Sequence, residues 1–241
     1  KGGKYVQSNR VLAYLRRCFN WGIGQSKVDD WHLNPCDHIQ KNEEKSKDRV
    51  LSDSELKRFL RNLPKSSMSE TEQDLLKFIL LTGCRPGEAS SASIDDVDEA
   101  EATLTISNTK NGKTHVVPLS LSAMQIAVKR KEVSKWLFPM KTRPKQHMGR
   151  DRVQKPLRES YDALKVHDFT PHDLRRTMAT GLAKLKCPEL LISLALNHTV
   201  PGITSIYNRY GYADELREWY TKWNLHVDTL KQQTDEVSNI G

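Results

Sequence analysis

Apolar positions recur at helical spacing through most of the chain. Val11, Leu12, Leu15, Cys18 and Phe19 share one face of a first helix, with Ser8 or Asn9 placed to cap it. Asn34-Pro35 breaks that pattern. Residues 41–49 then carry seven charges of both signs and no apolar side chain. Such a stretch has nothing to bury and predicts a linker. Beyond it, Ser52 followed by Glu55 predicts a capping box, and Leu56, Phe59, Leu60 and Leu63 continue a helical stripe. Leu75, Leu76, Phe78, Ile79 and Leu80 predict a second helix stopped by Gly83, and Pro86 opens a short third one.

The period then changes from helical to alternating. Leu104 and Ile106 alternate with Thr103, Thr105 and Ser107, Asn111-Gly112 reads as a tight hairpin turn, and Thr114 to Leu119 returns as a strand. Helical spacing resumes over Ser122 to Val133. Lys141 to Lys155 holds six Lys/Arg against one Asp, with Pro144 and Gly149, and predicts a basic loop running into a helix. Thr170-Pro171 caps a helix lined by Leu174, Met178, Leu182 and Leu185. Pro188 opens another ending near His198, and Pro201 a third containing Tyr207. In the tail, Leu216, Trp219, Tyr220, Trp223, Val227 and Leu230 form a stripe too apolar for water. It predicts docking either on its own domain or on a neighbouring protomer. On the second reading, truncation after Ala213 would spare single-site DNA binding and weaken assembly. The whole pattern predicts a mainly α chain with a small antiparallel β-sheet, an α+β fold.

Composition narrows the function. The 241 residues include 38 Lys/Arg against 30 Asp/Glu, a net charge of +8, which favours a polyanionic partner with nucleic acid first. No apolar run approaches a membrane span, and Lys1-Gly2-Gly3-Lys4 has neither an apolar signal core nor an initiator Met, as expected of a trimmed piece. Cys18, Cys36, Cys84 and Cys187 are far apart and form no C-x-x-C pair, so a reducing compartment is expected, without a disulfide framework or zinc site.

Four features carry candidate chemistry. In Thr82-Gly83-Cys84-Arg85-Pro86-Gly87-Glu88 a helix ends on Gly and an Arg starts the next one. There the guanidinium fork can grip phosphate oxygens, with Glu88 able to reach back to it. Lys110 stands in the hairpin, where a lysine can hold a phosphate or protonate a leaving oxygen, with Lys113 as competitor. His172 and Arg175 are three apart on one helix face. His198 precedes Tyr207, with Tyr210 and Tyr212 close behind. A tyrosine can attack phosphorus only where cations stabilise the phenolate and the developing charge. Taken singly, each has an ordinary explanation as a turn, cap, surface or core residue.

Together, their order and spacing closely resemble the tyrosine recombinase (phage integrase) family. Its signature of T-G-x-R-x-x-E, a hairpin lysine, H-x-L-R, a later His and a Tyr nine residues on stands here as Arg85 with Glu88, Lys110, His172 with Arg175, His198 and Tyr207. Val50 to Leu56, the strand Val116 to Ser120, and Ile206-Tyr207-Asn208-Arg209 are also similar, the last to integrases of prophages and genomic islands. One departure is Asn197 where the family commonly has Gly before the His, and Asn tolerates the left-handed conformation.

The resemblance implies the family's catalytic-domain fold over residues 50–212, preceded by a remnant of the core-binding domain (1–40) and a linker (41–49), and followed by a tail helix (213–241). The implied reaction is site-specific DNA cleavage and rejoining through a covalent 3′-phosphotyrosine. In it Tyr207 is the nucleophile, Arg85 and Arg175 clamp the phosphate, Lys110 protonates the leaving 5′-oxygen, His172 hydrogen-bonds phosphate and assists proton transfer, His198 contacts a phosphate oxygen, and Glu88 orients. No cofactor and no metal are expected. The implied partners are double-stranded DNA attachment sites and a homotetramer on DNA, the chain being monomeric in isolation, with accessory DNA-bending factors and a cytoplasmic, nucleoid-associated location. Two alternatives remain: a type IB topoisomerase, which shares this chemistry, and a catalytically idle DNA-binding protein.

Overall fold

The computed structural model describes residues 2–25, 27, 33–44, 48–107, 109, 112, 114–149, 151–198 and 212–232. The chain forms two compact units that divide between Asp48 and Arg49.

The first unit is built on helix α1 (Gly2–Gly24). It starts upstream of the expected cap: Ser8 lies inside the helix and returns its hydroxyl to the Tyr5 carbonyl at 2.9 Å. Asn9 is buried and does another job. Its amide donates to the Asn42 carbonyl (2.8 Å) and the Glu44 carboxylate (2.7 Å), holding the charged segment against α1. Arg16 grips the Cys36 carbonyl at 2.6 Å and Asn34 donates to the Arg16 carbonyl at 2.8 Å. Of the expected apolar face only Leu12 is deeply buried, while Val11 and Leu15 are about half exposed. A single helix with one return segment has little core, so side-chain to backbone bonds set its shape.

In the second unit, Ser52 and Glu55 form the expected capping box of α2 (Asp53–Asn62), and Leu56, Phe59 and Leu60 are buried. Arg49 grips the Glu55 carboxylate at 2.5 Å, which lowers its pKa to about 2. Ser69 caps α3 (Glu70–Thr82), which is buried nearly all round from Leu75 to Thr82. It ends at Gly83 with φ +65°, a conformation costly for any residue with a Cβ. A Cβ there would also strike the Met178 sulfur at 2.4 Å. Pro86 opens α4 (Pro86–Ser90).

Strands β1 (Val97–Asp98), β2 (Thr103–Ile106) and β3 (His115–Pro118) form an antiparallel sheet in that order. β2 has the expected alternation and β3 is the expected return strand, with Val116 exposed between buried His115 and Val117; β1 is too short to show a period. The ladder ends at Ile106–His115, further from Asn111-Gly112 than a tight two-residue hairpin predicts. Gly112 (φ +72°) donates its N–H to the Thr109 carbonyl at 3.0 Å. Asn108, Lys110, Asn111 and Lys113 lie outside the described residues.

Ser120 caps α5 (Leu121–Val128), which stops short of Val133. There Lys129 and Arg130 turn in to the buried Asp74 at 2.9 and 2.8 Å. The basic segment differs from expectation. Part of it is a strand, β5 (Arg143–His147), antiparallel to β4 (Pro139–Met140), and helix α6 (Gln154–Glu159) follows. Pro144 is tolerated because a two-stranded sheet has only edges. Helix α7 (Tyr161–Leu164) leads to α8 (Pro171–Lys184), and α9 (Glu189–Ala195) ends before His198. The predicted helix with Tyr207 lies outside the described residues.

Helix α10 (Ala213–Gln232) settles where the tail stripe packs. Leu216, Tyr220, Trp223, Val227 and Leu230 are all at most 8% exposed, within the same hydrophobic core as α2, α3 and α8. The Trp223 ring lies on Gly181, where a Cβ would come within 2.1 Å of it. The stripe is therefore spent in cis, and the expectation that a chain cut after Ala213 keeps its DNA binding is withdrawn. Such a cut would open the core.

Candidate active site

Gly83 and Pro86 place Arg85 at the start of α4, where Glu88 answers it twice. The Glu88 carboxylate accepts the Arg85 guanidinium at 2.8 Å and the Arg85 backbone N–H at 3.2 Å. Glu88 is buried, so the ion pair fixes the arginine in one direction.

On α8 the Asp173 carboxylate accepts both the Thr170 backbone N–H and its hydroxyl at 2.8 Å. This locks the helix start that carries His172, which is exposed, and Arg175, which is buried. Arg175 is 3% exposed. Its guanidinium donates to the Gly83 carbonyl at 2.6 Å and the Leu196 carbonyl at 2.5 Å, and lies 3.4 Å from His198 Nε2. Arg85 reaches the Asn197 carbonyl at 3.4 Å. Asn197 has φ +46°, the left-handed state that the Gly-to-Asn departure requires, and it turns the chain so that His198 meets Arg175.

Arg85, Glu88, His172, Arg175 and His198 are thus brought to one place. A cleft of about 580 Å³ opens beside Arg85 and His172, lined also by Glu88, Thr170, Asp151 and Gln154. Both histidines have lowered pKa values, first by desolvation and then by Arg175 and Arg85, with Arg176 adding to the effect at His172. They are neutral at neutral pH, each able to donate and accept a hydrogen bond. Lys110 and Tyr207 lie outside the described residues. The loop that carries Lys110 is anchored at Ile106–His115, and the segment that carries Tyr207 leaves from His198.

One residue at this site was missed by the sequence reading. His115, at the foot of the Lys110 loop, is 6% exposed and neither ring nitrogen has a hydrogen-bond partner. Burial pushes its pKa down to about 4; Glu88 opposes this, while Arg175 and Arg85 add to it. The Leu194 carbonyl also favours the charged ring, but not with the geometry of a hydrogen bond. The signal was legible, since the alternation that buries Val117 also turns His115 inward. The folded ring stays neutral to about pH 4, whereas the unfolded ring takes its proton near 6.5. The unfolded state therefore binds more protons between those values, and stability falls as pH drops through that window, by ~3 kcal/mol from this group. Glu55 acts in a lower window, its contribution being lost only as pH falls below 4.5. Denaturant titrations from pH 7 to 4.5 should show the steep loss in the native chain and a flatter one in His115→Leu. Equal slopes would remove His115 as the cause.

The sequence matches the model of the phage integrase family over residues 49–213. It is similar to tyrosine recombinase XerA of Pyrococcus horikoshii, 27% identical over 192 residues, which is 77% of this chain and 65% of that protein. The Pyrococcus furiosus protein of the same name is 28% identical over 184 residues, 73% of this chain and 62% of the relative. The chain thus spans somewhat under two-thirds of the length of these relatives. Among solved structures, a lambda integrase dimer bound to a COC′ core site superimposes with TM-score 0.66 at 16% identity, covering 84% of this chain and 75% of that one. The integrase of mycobacterium phage Brujita gives 0.58 at 20% identity, covering 93% and 73%. These likenesses show the fold, mainly helical with small antiparallel sheets. With the family model spanning more than half of the sequence, the chain belongs to the phage integrase family.

Proposed function

We propose that this chain is the DNA-cleaving part of a site-specific tyrosine recombinase. The observation that carries the reading is the convergence of two oriented guanidinium groups, Arg85 held by Glu88 and Arg175 held by two carbonyls, with neutral His198 against Arg175 and neutral His172 on a cleft that Arg85 also lines. Such a set is suited to a phosphodiester, whose non-bridging oxygens take planar forks and whose pentacovalent state gains most from preorganised cations.

In the proposed reaction the Tyr207 phenol oxygen forms a bond to phosphorus, and the bond from phosphorus to the 5′-oxygen breaks. His172 assists removal of the phenol proton, and Lys110 delivers a proton to the departing 5′-oxygen. Arg85, Arg175 and His198 hold the non-bridging oxygens. The phosphotyrosine keeps the bond energy, and attack by a 5′-hydroxyl reverses the steps and rejoins the strand. The substrate is a duplex DNA site, and exchange between two sites calls for several copies of the catalytic unit on DNA. The test is incubation with a nicked suicide substrate, read as covalent protein–DNA adduct. Adduct with strand transfer supports the reading. Adduct with supercoil relaxation and no transfer would move it to a topoisomerase, and no adduct would leave a binding protein.

Binding itself should be strongly salt-dependent. Lys141, Arg143 and Lys145 are exposed on and beside the β4–β5 hairpin and suit phosphate contacts. With about four phosphates neutralised, affinity should fall roughly 10²-fold between about 50 and 200 mM salt. Fluorescence anisotropy over that range checks it, and a flat response would deny the hairpin and its neighbours this role.

A further inference from the structure

The turn that carries Arg85 and the turn that leads to His198 run side by side, and a row of donors joins them. Arg175 bridges the Gly83 and Leu196 carbonyls at 2.6 and 2.5 Å, and Arg85 reaches Asn197 at 3.4 Å. One step back along both turns, the Tyr220 hydroxyl reaches the Thr82 carbonyl at 3.1 Å and the Ala195 carbonyl at 3.3 Å. The pairs therefore advance together, Thr82 with Ala195, then Gly83 with Leu196. Tyr220 comes from α10, is 1% exposed, and belongs to no part of the family signature.

We infer that Tyr220 is a positioning residue for strand cleavage, setting the separation of the two turns so that Arg175 can span them and face the phosphate. Its phenol stays protonated, since burial pushes its pKa far above the ordinary value, so a donor is always present. Its single proton is shared between the two carbonyls, which makes the contact sensitive to their spacing. The side chain next along α10, Trp223, gives an internal comparison. Its Nε1–H donates to the Leu80 carbonyl at 2.8 Å, also at the end of α3 and not in the second turn. Asn224 likewise serves Leu81 at 3.2 Å. All three side chains cap α3, but only Tyr220 also holds the second turn.

The inference rests on the proposed roles of Arg85, Arg175 and His198, and its test separates the two. Tyr220→Phe removes one oxygen and keeps the ring. It should lower the single-turnover rate of adduct formation at saturating DNA by roughly 10- to 100-fold, as expected for a misplaced catalytic group, with DNA affinity unchanged. In the DNA-free protein, the His198 imidazole titration followed by NMR should move up toward the ordinary value as the arginines draw away. Trp223→Phe should lower the melting temperature to a similar degree while leaving the rate and the titration in place. Either readout unmoved in Tyr220→Phe, or moved equally in Trp223→Phe, overturns the inference. If the native chain forms no adduct, the functional reading fails, and the His198 titration alone decides whether Tyr220 sets the geometry.

Discussion

Replacing Tyr207 with Phe is expected to reduce covalent adduct on a suicide DNA substrate to below detection while leaving DNA affinity nearly unchanged. In the proposed reaction the phenol oxygen is the atom that joins phosphorus, whereas its removal subtracts almost nothing from the binding surface. Two other tyrosines compete for the role. Tyr212 sits at the head of α10 with φ +44° and packs against the hydrophobic core, a poor position for a group that must enter DNA. Tyr210 is twelve residues past His198 rather than nine. The measurement is adduct yield on denaturing gels for Tyr207→Phe and Tyr210→Phe in parallel. Adduct that survives the first and vanishes with the second would reassign the nucleophile.

Arg175→Lys is expected to be nearly as damaging as Arg175→Ala, lowering the adduct rate by on the order of 10²-fold or more. Charge is retained in the lysine variant, so a purely electrostatic role would predict a mild effect. The structure argues otherwise. One planar group spans the Gly83 and Leu196 carbonyls from two separate nitrogens while touching His198, and the single nitrogen of an ammonium lacks that span. The side chain is also buried, so loss of its bonds leaves carbonyls unsatisfied and lowers the melting temperature as well. Single-turnover rates and thermal melts of both variants are the check. A lysine variant with the native rate would remove the two-pronged grip from the mechanism.

Much of this molecule is legible in the sequence because the relevant signals are local. The Ser52–Glu55 box, the Gly83 stop, the Thr170-Pro171 start and the alternation of β2 and β3 each depend on a few neighbouring residues, and the structure has them. Asn197 is a similar case, since a non-glycine before His198 called for a left-handed residue and Asn supplies it. What escaped depends on partners outside the segment itself, most of them far apart in the chain. The cap expected at Ser8 or Asn9 failed because Asn9 is held by Asn42 and Glu44, more than thirty residues on. The segment expected as a basic loop is partly a strand because β4 lies beside it, and nothing in β5 alone reveals a partner. The tail stripe announced burial but not against what, since cis and trans docking require the same periodicity. Tyr220 was visible only as one more apolar position, because its hydroxyl's partners lie 138 and 25 residues away.

The capping of α3 by α10 also bears on when the site comes into being during synthesis. Leu80, Leu81 and Thr82 wait for donors 138 to 143 residues downstream. Closing such long loops is entropically costly and comes late in folding. As the chain emerges from the ribosome, the Arg85 turn, His172 and Arg175 are all made well before Trp223 and Asn224 are available to finish the end of α3. A nascent chain therefore carries the arginines before it carries the order that aims them, and the proposed site is completed only once α10 has been released.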